Sequence, residues 1–318
     1  MLKSPVRVAL CAALLVLVAA CNKKPAESSA PAAIVASSTA PDAAILASAA
    51  LVKRGDIEGL MQNSMPAADF AKMKADWAKE KNEKPITDED RQKFAATMAQ
   101  LTAPNAAETL YTEIQPKLAE FDAKYQVQVP VYVAMGSSWL QGMVNQDKDM
   151  SETDKQQANA AIAAIGGWAQ KTRFTDPVLV KKVLAIATDT AGKLHLKTLD
   201  EARALNFEQT MQKAQIAFQG IKQALAVYDF SIDKIMDSVK PEVLSNDGNA
   251  AKVKVAYTLF DTPLTVDTEM VNVDGHWYGK KAIEKMKEKT APPTTTTAPT
   301  TIPAPAAPPK SPAPAPAH

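Results

Sequence analysis

Apolar side chains recur through the middle of this chain at alternating steps of four and three. From Asn206 to Tyr228, the series Phe207, Met211, Ala214, Phe218, Ile221, Leu225 and Tyr228 lines one stripe of a helix. Glu208, Gln212, Lys213, Gln219 and Lys222 take the other faces, so the stripe predicts core packing. Other helices announce their starts, because a side-chain oxygen there accepts free N–H groups of the first turn. Thr87 precedes Asp88-Glu89-Asp90 and a stripe of Phe94, Met98 and Leu101. Asn105 follows Pro104 and leads into Leu110, Ile114, Leu118, Phe121 and Tyr125, with a kink expected at Pro116. Ser151-Glu152-Thr153-Asp154 resembles a capping box before Ile162 and Ile165. Asp176-Pro177 opens a helix through Val183 and Ile186 that ends near Gly192. Asp42 to Met61 and Ala67 to Lys79 predict two more, and Val131, Val133, Met135 and Trp139 suggest a buried helix.

Past Ser231 the period changes to two. Val253, Val255, Tyr257 and Leu259 alternate with Lys252, Lys254, Ala256 and Thr258, as in a half-buried strand. Leu264, Val266 and Met270 alternate with Thr265, Asp267 and Glu269. Asp247-Gly248 and Asp274-Gly275 are hairpin signals, since glycine accepts positive φ at no steric cost. With the middle turn near Asp261-Thr262-Pro263, Lys254 is expected opposite Glu269. The pattern predicts three or four short antiparallel strands from about Glu242 to Tyr278, then a last helix from Lys280 to Lys289. The expected fold class is α+β: a predominantly helical body with a small C-terminal antiparallel meander, one face of it covered by helices.

The two ends read differently. Lys3 and Arg7 precede an uncharged apolar run from Val8 to Ala20, the pattern of an export signal and short for a bilayer span. The run closes Leu17-Val18-Ala19-Ala20-Cys21, and Val18 to Cys21 resembles the lipobox of bacterial lipoproteins. That resemblance implies diacylglycerol on the Cys21 sulfur, cleavage before Cys21 and a further acyl chain, such as palmitate, on the new amino group. An ordinary secretory signal with a chance cysteine is the alternative. Asn22, rather than Asp, resembles lipoproteins sorted to the outer membrane of Gram-negative bacteria, which places the body in the periplasm. The expected organisation is a signal peptide at 1–20, the lipidated Cys21 with an Ala/Ser/Pro-rich linker at 21–41, and a folded body at 42–290. A disordered Pro/Thr/Ala-rich tail is expected at 291–318. The implied partners are a lipid bilayer, through acylated Cys21, and cell-wall or envelope proteins, through the tail.

Charge and chemistry narrow this further. Lys and Arg total 36 against 35 for Asp and Glu, and loss of Lys3 and Arg7 with the signal leaves 34 against 35. No basic stripe interleaved with aromatics is present, so nucleic acid is not an expected partner. Cys11 lies inside the signal, which leaves Cys21 alone in the processed chain and rules out an internal disulfide. The three histidines, His195, His276 and His318, include no pair at helical metal spacing. Asp147-Lys148-Asp149-Met150-Ser151 begins like a calcium loop, then places Glu152 at the turn-glycine position and Ala158 at the closing position. Gly136-Ser137-Ser138 lacks a nucleophile elbow, and Gly166-Gly167-Trp168 lacks phosphate-loop spacing and reads as a close helix contact. No catalytic, metal or cofactor residues are nominated, and a non-enzymatic envelope module is the expected role.

Lys252 to Gly279, reading VKVAYTLF and then EMVNVDGHWYG, resembles the sheet of small cystatin-like and nuclear-transport-factor-like lipoprotein domains. In those domains a curved sheet cradles a helix and leaves a cup. The resemblance implies a pocket involving Met270, Trp277 and Tyr278, hence an alternative role in binding a lipid or other apolar ligand. The chain as a whole resembles uncharacterised proteobacterial lipoproteins.

Overall fold

The computed structural model describes residues 39–290, apart from 82, 84 and 149. The expected signal at 1–20, Cys21, the linker before residue 39 and the tail at 291–318 lie outside the described residues.

α1 (Pro41–Arg54) is the helix on which both halves of the fold close. Its Ala44 packs with Ala251, Val253, Met270 and Trp277 of the sheet. Leu51 and Val52, both fully buried, join Leu60, Phe218, Ile232 and Leu264 in a second cluster. The single helix expected from Asp42 to Met61 is instead two. Gly55 takes the left-handed conformation, at φ 76°, and its N–H closes on the Leu51 carbonyl. Asp56 then caps α2 (Ile57–Ser64) by accepting from the Gly59 N–H at 2.9 Å.

Next come α3 (Ala67–Glu80), α4 (Asp88–Leu101), α5 (Ala106–Tyr125), α6 (Val129–Gln146), α7 (Glu152–Lys171) and α8 (Pro177–Leu194). Thr87 and Asp90 form a full capping box on α4, Ser151 caps α7, and Asp176 accepts from the Val178 and Leu179 N–H groups of α8. Asn105 departs from expectation: it sits at φ 57° and makes no side-chain cap. The helix it precedes runs on through Pro116 to Tyr125.

Short α9 (Leu199–Ala204) leads to α10 (Phe207–Val227) and α11 (Ile232–Asp237). The α10 stripe forms, but it swings round toward the C-terminal end. Phe207, Met211 and Phe218 are buried as expected, while Ile221 is exposed and Lys222 is buried in its place. The Lys222 ammonium pairs with Asp233 and donates to the Lys53 carbonyl at 2.9 Å, near the C-terminal end of α1. A cation is favourable there, and the methylene stem packs while the charge is satisfied. α10 and α8 cross closely at Gly220, where an added Cβ would lie 2.3 Å from Thr190 Oγ1 and 3.0 Å from Thr190 Cβ. Gly220→Ala is therefore expected to cost about 1–3 kcal/mol, read as a lower urea midpoint at unchanged slope.

The sheet is a four-stranded antiparallel meander in the order β1 (Lys240–Asn246), β2 (Ala250–Leu259), β3 (Thr262–Val273), β4 (His276–Gly279), followed by α12 (Lys280–Thr290). The β2–β3 turn is tighter than expected. Phe260 and Asp261 alone span it, both at positive φ, 47° and 63°. Two left-handed residues make a turn whose twist matches that of the strands. Lys254 consequently faces Asp267, and Lys252 faces Glu269, a correction of two residues in register. A phenylalanine in this conformation is strained. Its ring stacks on Trp168 at 5.3 Å and 11° and meets Phe230 at 5.0 Å, contacts that hold the turn against α7.

Candidate functional site

Met270, Trp277 and Tyr278 do not converge on a cup. Met270 and Trp277 lie on the sheet face that α1 covers, packed with Ala44, Ala251 and Val253. The Trp277 indole N–H donates to the Thr39 carbonyl at 3.2 Å. Tyr278 pairs with Val271, one step along β4 from Trp277, and so points to the opposite face, where it too is buried. The helix that the resemblance expected to leave a cavity is packed directly onto the apolar face.

The other residues weighed in the sequence hold structural positions. His195 is the left-handed cap of α8, at φ 49°. Ser151, at the end of the aborted calcium loop, accepts from the Asp154 N–H at 3.1 Å. Ser137 lies where α6 meets α7, its Oγ 2.8 Å from a Cβ built on Gly166, so Gly166 permits that approach and Gly167 meets nothing. Among the described residues, no group of three or more His, Cys, Asp or Glu is placed to hold a metal ion.

Shifted titratable groups trace caps and ion pairs. Side-chain and backbone hydrogen bonds with Thr87 hold Asp90 below the usual carboxylate range, and Lys197 and Thr198 N–H groups do the same for Glu201. Lys74 lowers Glu208, and Lys280 lowers Glu269 through a 2.7 Å contact. Tyr257 is the largest departure: burial pushes its phenol up to about 12. Because burial favours the neutral form, the stabilisation is complete below pH 10 and is lost as the pH rises through about 12. An absorbance titration of phenolate is expected to show a tyrosine ionising near that value, with thermal stability falling above pH 10. The Tyr257→Phe variant removes that step.

Depressions in the surface include two bounded by described residues. One, of about 340 Å3, lies between the α4–α5 turn and α8, bounded by Leu101, Asn105, Thr188, Asp189 and Gly192. The other, of about 210 Å3, lies between α3, β3 and α12, bounded by Pro66, Asp69, Val273, Ile283, Met286 and Lys287. Neither gathers the nucleophile, base and anion-stabilising donors that acyl or phosphoryl transfer needs.

The feature that stands out is α6. From Val127 to Gln146 the chain carries no Asp, Glu, Lys, Arg or His. Val131, Met135 and Trp139 are each 63% exposed, Tyr132 is 50% exposed, and Val127, just before the helix, is 90% exposed. The helix packs on α7: Val133 and Ser137 approach Gly166, and Asn159 donates to the Asn145 carboxamide oxygen at 2.8 Å. The face that carries Val131, Tyr132, Met135 and Trp139 is uncovered. This corrects the expectation that Val131, Met135 and Trp139 are buried. An all-round apolar helix reads as buried, yet α6 has its partner on one side.

Comparison with protein-family models, curated proteins and solved structures returned no match for the chain.

Proposed function

We propose that this protein is an exported bacterial lipoprotein, attached through acyl chains on Cys21 to the outer membrane and facing the periplasm. Its helical body acts there as a non-enzymatic interaction module. The address rests on the ordered run of Lys3 and Arg7, the apolar stretch Val8 to Ala20, and the small residues ending at Cys21. The interaction role rests on one observation, the uncharged and exposed face of α6. Monomeric soluble domains seldom leave such a patch without a partner. No helix among the described residues is long and apolar enough to cross a membrane, so an acyl anchor supplies what the body does not. An apolar ligand on the sheet is the weaker reading, because α1 fills the face that carries Met270 and Trp277. The test is metabolic labelling with an alkyne-bearing palmitate. Wild-type protein is expected to take up the label and Cys21→Ala to take up none; equal labelling of both, or of neither, overturns the anchor.

A further inference from the structure

We infer that the exposed face of α6 docks on a lipid bilayer, seating Val131, Tyr132, Met135 and Trp139 at the boundary between headgroups and acyl chains. The inference rests on the lipoprotein reading for the tether and on the α6 surface itself for the contact.

Three observations select a bilayer as the occupant. First, the stretch from Val127 to Gln146 carries no Asp, Glu, Lys, Arg or His, so no side chain charged at neutral pH must shed water as the face enters the interface. Second, the exposed side chains are of the interfacial kind. Tyr132 and Trp139 each combine an apolar ring with a polar edge, the pairing that favours headgroup depth, and Val131 and Met135 are exposed beside them. The Tyr132 hydroxyl is internally satisfied, donating to Gln128 Oε1 at 2.8 Å. A second copy of the chain would meet a face without the charged pairs that fix the register of a helix–helix contact. Third, on the lipoprotein reading only Asn22 to Ser38 separate the anchor from the described fold. Asn22 to Ser38, fully extended at about 3.3–3.6 Å per residue, spans no more than ~60 Å. A body of this size has a radius of gyration of roughly 18 Å, so the tether lets α6 turn to the membrane while never letting the membrane out of reach. Tethering converts docking into an intramolecular step at millimolar effective concentration. A patch too weak to recruit a free protein then suffices to orient an anchored one.

With no Lys or Arg in the stretch, docking has no counterpart in anionic headgroups. It is expected on neutral phosphatidylcholine and to survive high salt. The depth of burial expected is that of an interfacial helix, about 5–10 Å.

The experiment uses the full chain carrying Cys21→Ser and a C-terminal hexahistidine, held on phosphatidylcholine vesicles doped with nickel-chelating lipid. Attachment is then independent of acylation. The signal is the emission difference between this chain and its Trp139→Phe variant, read with and without brominated phosphatidylcholine. The expected result is quenching of the Trp139 emission, unchanged at high salt and lost when Val131→Asp and Met135→Asp are introduced together. Circular dichroism confirms that the double variant remains folded. Unquenched Trp139 on the tethered, folded chain overturns the inference. If the chain free of vesicles also sediments as a dimer that the double variant breaks, the face belongs to a second copy. Acyl mass on native Cys21 is measured separately, so loss of the anchor reading and loss of the docking inference are distinct outcomes.

Discussion

Trp277→Ala is expected to lower the unfolding free energy by about 3–5 kcal/mol, the range for removing a large aromatic from a packed core. Trp277 is 4% exposed and packs with Ala44 of α1, Val253 of β2 and Met270 of β3, so its loss opens a void where the first helix meets the sheet. The indole also ties down the start of the fold through its hydrogen bond to the Thr39 carbonyl. Trp277→Phe separates the two contributions: it keeps much of the apolar volume and loses the hydrogen bond, worth about 0.5–1.5 kcal/mol. Both are read from urea denaturation as a fall in midpoint at constant slope. A Trp277→Ala chain of wild-type stability would mean that the side chain floors an open cup, as the resemblance to cystatin-like sheets implied.

Cys21→Ala is expected to move the protein from the membrane fraction to the soluble fraction. Lipid anchoring contributes about 0.8 kcal/mol per buried methylene, and a single myristoyl chain binds only marginally, at about 10⁴ M⁻¹. The lipobox resemblance implies more than one chain on Cys21, and the free energies add, so dissociation becomes negligible on the time of an experiment. Contact through α6 does not rescue the variant, because without the tether its effective concentration collapses. Retention of Cys21→Ala on membranes after a high-salt wash would show that something other than the acyl group holds the protein.

What was legible in the sequence was mostly local. The caps at Thr87, Ser151 and Asp176 stand where a side-chain oxygen precedes an apolar period, and the structure places helix starts there. The change of period after Ser231 marked the meander, because alternation of apolar and polar residues is itself the geometry of a half-buried strand. The break between α1 and α2 went unread, although Gly55 followed by Asp56, a terminator and then a cap, carried it. The β2–β3 register was not legible. It depends on Phe260 adopting a left-handed conformation that turn chemistry assigns to Gly, Asn or Asp, held by rings from Trp168 and Phe230 distant in sequence. Burial of Lys222 likewise required the positions of Asp233 and the Lys53 carbonyl. The candidate surface was half legible. An uncharged stretch of this length reads as buried, and only the arrangement of neighbours reveals that α7 covers one side of α6 and leaves Trp139 outside.

The intact mass of the protein purified from membranes of its own host decides whether Cys21 carries an anchor. The expected chain begins at Cys21 and carries the added mass of a diacylglyceryl group and a further acyl chain. A chain that still holds residues 1–20, or that begins at Cys21 or elsewhere with no added mass, would contradict the anchor.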